Sequence, residues 1–129
     1  MTLLPINIEI WQETLGWSPN GEQLQLFEQL YLEIIEGNKL LNLTRITEPK
    51  EFWEKHLWDS LICIKPFLLT ENNANINVID IGTGAGFPGI PVAITLPNMQ
   101  VKLLDSTRKK ITFINSLIEK LNLKNTSTL

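Results

Sequence analysis

The sequence predicts an α/β fold, a parallel-sheet core preceded by an N-terminal helical segment, and three of its features carry that prediction. The short β-branched run Val78-Ile79-Asp80-Ile81 passes directly into a glycine-rich turn that ends at Gly89. A second strand at 100–104 is followed by apolar residues of helical period, so strands and helices alternate; such strands need crossover links, which favour parallel pairing and right-handed connections. Before residue 70, by contrast, apolar residues recur at spacings of three and four, the mark of helices with one buried face.

The segments follow in order along the chain. Residues 22–36 place Leu24, Phe27, Leu30, Tyr31, Ile34 and Ile35 on one helical face, with Asn20 and Gly37 at cap positions and Gln23 where a capping-box partner belongs. Thr47-Glu48-Pro49 reads as a second helix start, proline being tolerated in the first turn, and Trp53, Leu57, Leu61 and Ile64 then line one side until Pro66 stops it. Two or three packed helices are thus expected over residues 1–69. The polar stretch 70–77 marks the boundary, and residues 70–129 hold a strand at 78–81, a helix at 90–96 broken by Pro97-Asn98, and a strand at 100–104. Ser106 is the expected N-cap of a helix carrying Ile111, Ile114, Leu117, Ile118 and Leu121, and a third strand is expected at 126–129. A parallel sheet normally has about five or more strands, so this sheet is expected to be incomplete in the chain, with open edges that favour self-association.

Composition narrows the class further. With 129 residues, 43% of them hydrophobic and aromatics spread throughout, the chain is expected to form a single globular unit. A net charge of −3 gives no overall attraction to nucleic acid, so any RNA contact has to come from a local basic cluster. The lone cysteine, Cys63, stands in an apolar run with no activating cation beside it, which predicts a buried, unreactive thiol in a reducing compartment. Glu9 and Glu13 interrupt the N-terminal apolar residues, arguing against a signal peptide or membrane span and for a cytoplasmic protein. No metal-ligand spacing is evident, and no metal is expected.

The candidate chemistry lies in the turn Asp80-Ile81-Gly82-Thr83-Gly84-Ala85-Gly86-Phe87-Pro88-Gly89. Glycines between a strand and a helix let backbone turn sharply and approach a ligand closely. Sixteen residues after Gly89, Asp105 closes the second strand, where a carboxylate can accept hydrogen bonds from both ribose hydroxyls of an adenosine-containing ligand. The glycine spacing also satisfies the dinucleotide fingerprint, which leaves an NAD(P)- or FAD-binding oxidoreductase as an alternative. Asp80 shifts the balance: a carboxylate at the strand end repels a diphosphate but suits the ammonium and sulfonium of S-adenosylmethionine. Pro88 and Pro91 add to this by removing backbone donors from the helix start. Candidate cofactor-binding residues are therefore Asp80, Gly82, Gly84, Gly86 and Asp105. A third reading, from a different class, is a non-catalytic helical interaction module joined to an incomplete βαβ unit.

These motifs resemble a specific family. The segment from Val78 to Pro91, then Leu104-Asp105-Ser106-Thr107-Arg108-Lys109-Lys110, and upstream Asn42-Leu43-Thr44 and His56-Leu57-Trp58-Asp59-Ser60-Leu61, resemble the glucose-inhibited division protein B family, the ribosomal RNA small-subunit methyltransferases G, over about residues 22–125. The resemblance implies a Rossmann-like class I methyltransferase fold and transfer of a methyl group from S-adenosylmethionine to N7 of a guanosine in small-subunit (16S) ribosomal RNA. It implies cofactor contacts at Gly82, Phe87, Asp105, Ser106 and Thr107, with the RNA or the ribosomal particle as partner. Family members continue well past this length, and their further strands supply more cofactor contacts and much of the catalytic face.

Guanine N7 bears an in-plane lone pair and no proton at neutral pH, so its methylation needs no general base, and no catalytic residue is singled out. Holding N7, the methyl carbon and sulfur in line about 3 Å apart is the enzyme's main task. Candidate RNA contacts are Arg45, in the turn between helices, and His56 with Asp59, spaced to face one another on the second helix. Arg108, Lys109 and Lys110 join them, since positive charge at a helix start opposes the helix dipole and is not explained by helix stability. For the His56–Asp59 pair the competing expectation is a helix face that is solvated or pinned to the glycine turn.

Overall fold

The computed structural model describes residues 2–5, 7–69 and 76–129. Helix α1 (Ile8–Leu15) buries Trp11 and Leu15 and ends at Gly16, whose left-handed conformation halts it. Helix α2 (Gly21–Asn38) begins with the expected capping box: Gln23 N–H donates to Asn20 Oδ1 and Asn20 N–H to Gln23 Oε1, each at 2.8 Å. It buries Phe27, Leu30, Tyr31 and Ile34, while Leu24 and Ile35 flank the stripe half-buried. Gly37 lies inside the last turn rather than capping it, and Phe113 and Leu43 fill the place a Cβ would take, so the position suits glycine for its lack of a side chain.

The second expected helix is composite. Three residues of α-helix, α3 (Pro49–Glu51), widen into a π-helical segment (Phe52–Trp58) and return to α-helix in α4 (Asp59–Ile62). Trp53, Leu57, Leu61 and Ile64 are all buried, as the spacing predicts. The helix nevertheless ends at Ile62, and Pro66 opens the next short helix, α5 (Lys65–Leu68), since proline fits a first turn where no amide is needed. Cys63 is exposed, contrary to expectation: its neighbours Leu61 and Ile64 take the inward positions and leave it facing out. Most of the boundary expected at 70–77 lies outside the described residues.

Strands β1 (Asn77–Ile81), β2 (Gln100–Leu104) and β3 (Thr126–Thr128) form a parallel sheet in the order β1-β2-β3. Asn77 pairs with Gln100 and Ile81 with Leu104; Val101 pairs with Thr126 and Leu103 with Thr128. Helices α6 (Gly89–Thr95) and α7 (Arg108–Leu121) are the two crossovers. Thr107, not Ser106, is the N-cap of α7, because Asp105 draws the Thr107 amide back toward the strand and starts the helix one residue later. All seven residues of α6 are buried, as befits a helix apolar on every side: the sheet covers one flank, and α2 and α4 pack on the others. Asn125, itself buried, donates to the Ala93 and Leu96 carbonyls and so ties the end of α6 to the start of β3.

A single apolar core runs from Trp11 and Phe27 through Leu57 and Ile90 to Leu103 and Ile114, joining the helices to the sheet. The packed side of the sheet carries Asp80, Val101 and Leu103, while Ile79 and Ile81 on the other side are 57% and 79% exposed. No described helix is long and apolar enough to cross a membrane.

Candidate cofactor site at the glycine turn

The register Ile81↔Leu104 brings the glycine turn and Asp105 to the same end of the sheet. The turn then closes on itself and on β2. Gly82 and Thr83 N–H both donate to the Leu104 carbonyl, at 2.8 and 2.9 Å, and Gly84 N–H donates to Asp105 Oδ2 at 2.9 Å. Gly86 and Phe87 N–H donate to the Thr83 carbonyl, and Ile90 N–H to that of Gly86.

Asp80 is buried beneath this turn. Its Oδ2 accepts from Thr83 Oγ1 at 2.6 Å and from Gly89 N–H at 2.9 Å, joining the strand end, the turn and the start of α6. Asp105 does the equivalent at the mouth: Oδ1 accepts from Thr107 N–H at 2.9 Å while Oδ2 holds Gly84. Those two amides, Thr107 first, hold its carboxyl below the usual carboxylate range; Thr107 and Lys110 help, and partial burial opposes them. Each carboxylate oxygen has more than one acceptor site, so Asp105 retains capacity for ligand hydroxyls.

Gly82 and Gly84 adopt φ of 74° and 60°, and a Cβ at either would meet open space. An L side chain is strained there, and the open space lies on the side from which a ligand can touch bare backbone. The turn therefore fits a nucleoside. It fits a diphosphate poorly, because the amides that would cradle one point inward to Leu104, Asp105, Thr83 and Asp80, and Pro88 and Pro91 have none.

Phe87 is half-buried and faces the helical segment. Its ring stacks on His56 with centroids 4.2 Å apart and planes 7° from parallel, and Phe52 meets both rings edge-on. Thr44 Oγ1 lies 2.7 Å from His56 Nε2. Burial lowers the imidazole's affinity for a proton, with the Asp59 carboxylate pulling the other way. His56 is thus packed on the glycine turn through Phe87, while Asp59 is exposed one turn on.

Of the remaining candidates, residues 106–110 follow β2 at this end of the sheet. Ser106, Thr107, Arg108 and Lys109 are exposed and Lys110 is half-buried at the start of α7; Arg45 is exposed beside Thr44. Thr44, Phe52 and Thr83 were not among the sequence candidates although each touches one of them. Thr83, three residues after Asp80, was the legible signal; Thr44 stood in a recognised motif, but its partner is 12 residues away and became apparent only in the fold. A separate groove of about 330 Å³, lined by Trp11, Trp53 and Trp58, contains none of the candidate residues. Among the described residues, no group of three His, Cys, Asp or Glu is placed to hold a metal.

A parallel βαβαβ unit whose first turn is glycine-rich and whose second strand is closed by an acid has the arrangement of the first half of a Rossmann-like α/β domain. The chain belongs to the GidB family, rRNA small subunit methyltransferase G, whose model matches residues 23–129. It is 59% identical over 129 residues to the "Ribosomal RNA small subunit methyltransferase G" of Nostoc punctiforme, covering 98% of this chain and 52% of that protein. Proteins of the same name from Microcystis aeruginosa and Gloeobacter violaceus are 55% and 51% identical, over 98% and 93% of this chain and 57% and 46% of theirs. The chain thus spans about half the length of the curated relatives it matches.

Proposed function

We propose that the protein is an S-adenosylmethionine-dependent methyltransferase acting on N7 of a guanosine in small-subunit ribosomal RNA, with the donor held at the glycine turn. The observation that carries this reading is the inward commitment of the turn's amides beside a carboxylate with spare acceptor sites. Such a mouth suits a ribose and a cationic side chain and offers little to a diphosphate. Gly82 and Gly84 supply the bare backbone, Asp105 the hydroxyl acceptor, and Ser106 and Thr107 the rim. Asp80 sits beneath, its carboxylate setting the turn and adding negative potential below it. When bound, S-adenosylmethionine supplies an electrophilic methyl on sulfur. The chain's own task is to orient that group and the guanine, and a proton acceptor is not needed.

The family name of the relatives points to ribosomal RNA as substrate. Exposed Arg108 and Lys109, with half-buried Lys110, give local positive charge just after Asp105, and Arg45 is exposed beside Thr44, despite the net charge of −3. Bare Ile79 and Ile81 on the sheet support a second part of the proposal, that the chain by itself self-associates through that face and the neighbouring strand edge. A cytoplasmic location follows from the proposed substrate.

Calorimetry with S-adenosylhomocysteine and, separately, with NAD tests the cofactor assignment. Saturable heat with S-adenosylhomocysteine and none with NAD is expected; the reverse pattern overturns the methyltransferase reading in favour of an oxidoreductase.

A further inference from the structure

The contact between the helical segment and the glycine turn begins at Asn38. Its Oδ1 accepts the Leu43 and Thr44 amides at 2.9 and 3.1 Å, and its Nδ2 donates to the Thr44 carbonyl at 2.8 Å. This fixes Thr44 against the end of α2. Thr44 Oγ1 accepts the Ile46 amide at 3.0 Å, and its own proton has His56 Nε2 at 2.7 Å to go to. The π-helical winding of Phe52–Trp58 sets Phe52 and His56 together on the side that meets Phe87. Such wide turns are rare and recur at functional sites.

We propose that Thr44 and His56 are positioning residues for the cofactor turn: the Thr44 hydroxyl donates to Nε2 of a neutral imidazole, and that imidazole holds Phe87 flat against it. Phe87 follows Gly86 directly and its amide is bonded to the Thr83 carbonyl, so the ring's position is transmitted to the turn backbone. An imidazole accepting at Nε2 carries its proton on Nδ1. Protonation leaves the Thr44 hydroxyl without its acceptor and places charge in a partly buried ring. Asp59, on the following turn, is the charged group that acts on the imidazole and favours the proton; Tyr31 stands behind Phe52, with burial keeping its hydroxyl protonated. The effect on binding rests on the reading of the turn as the donor site, whereas the relay from Thr44 to Phe87 does not.

His56 is the single histidine of the chain, so its imidazole nitrogen signals need no assignment. Nitrogen-15 spectra are expected to show the Nδ1–H tautomer in the wild type and a mixture in Thr44→Val. The amide signals of Gly82 to Gly86 are expected to move with the imidazole titration in the ligand-free protein. By calorimetry, S-adenosylhomocysteine binding weakens as the imidazole protonates. His56→Gln removes that pH dependence and binds roughly three- to tenfold more weakly at neutral pH, as does Thr44→Val, the loss being that of about one hydrogen bond. Thr44→Ser restores wild-type binding. An Nε2–H tautomer in the wild type, or Gly82 to Gly86 amides indifferent to the titration, overturns the relay even if S-adenosylhomocysteine binds. If those amides follow the titration but no S-adenosylhomocysteine binds, the relay stands and the donor-site reading falls.

Discussion

At Asp105 two backbone amides converge on one carboxylate and tie the glycine turn to the end of β2, and at Asp80 a hydroxyl and an amide converge on another and tie the end of β1 to the turn and the start of α6. Asp80→Ala leaves the Thr83 hydroxyl and the Gly89 amide without a partner in a buried place, and is expected to cost about 2–4 kcal/mol of stability, read by urea unfolding. Gly89→Ala is expected to cost about 1–3 kcal/mol, because its methyl would overlap the Leu103 side chain and crowd Asp80 Oδ2; thermal unfolding measures it. Acidification acts on Asp105 and His56 in the same direction. Both hold protons more weakly folded than unfolded, so on lowering pH the unfolded chain takes up the proton first. Their contributions are complete above the unfolded pKa values and are lost as pH falls through the folded ones. Unfolding free energy should therefore decline below about pH 6.5 for His56 and decline again below about pH 4 for Asp105. His56→Gln should remove the upper step and Asp105→Asn the lower, and a stability that rises on acidification over this range contradicts the assignment. On the RNA side, Arg108→Gln with Lys109→Gln is expected to lower the salt slope of RNA binding by about 2 if both touch phosphate, measured by filter binding over a salt series.

Among the elements, α2 is the one whose local sequence and tertiary role agree most closely. Its capping box is intact, so Asn20→Ala is expected to cost about 1 kcal/mol, and Asn20→Asp much less, in thermal melts. Its apolar stripe, the strand at Gln100–Leu104 and the stripe of α7 were all legible because each is a run of one period with a clear stop. The π-helical segment was not. Trp53, Leu57 and Leu61 recur every four residues, a spacing compatible with either winding, and the choice is made by contacts of Phe52 and His56 with Phe87, which belongs to another part of the chain. Two of the expected caps differ for a similar reason. Gly37 and Ser106 carry the residue types of caps, but Gly37 makes room for Phe113 within the helix and Asp105 draws back the Thr107 amide beside Ser106, contacts that the fold decides. At the site itself, the glycines and both acids were legible from spacing, while the direction in which the turn's amides point was not, since it depends on Leu104 of the neighbouring strand.

For the molecule as a whole, one core holds the helices and the sheet together, yet the two sheet faces differ sharply. One lies under α6 and α7; the other exposes Ile79 and Ile81. Self-association through this face predicts a sedimentation coefficient that rises with protein concentration and a return to the monomer in Ile79→Lys with Ile81→Lys. Concentration-independent monomer in the wild type contradicts it. The central claim concerns the other end of the architecture, where the strand ends, the glycine turn and Asp105 meet. A crystal structure of the protein with S-adenosylhomocysteine tests it most directly. The ribose hydroxyls should lie within hydrogen-bond distance of the Asp105 carboxylate, with the amino-acid side over Gly82 and Gly84. A nucleoside bound away from Asp105, or a turn whose amides swing outward to take a phosphate, would contradict the account.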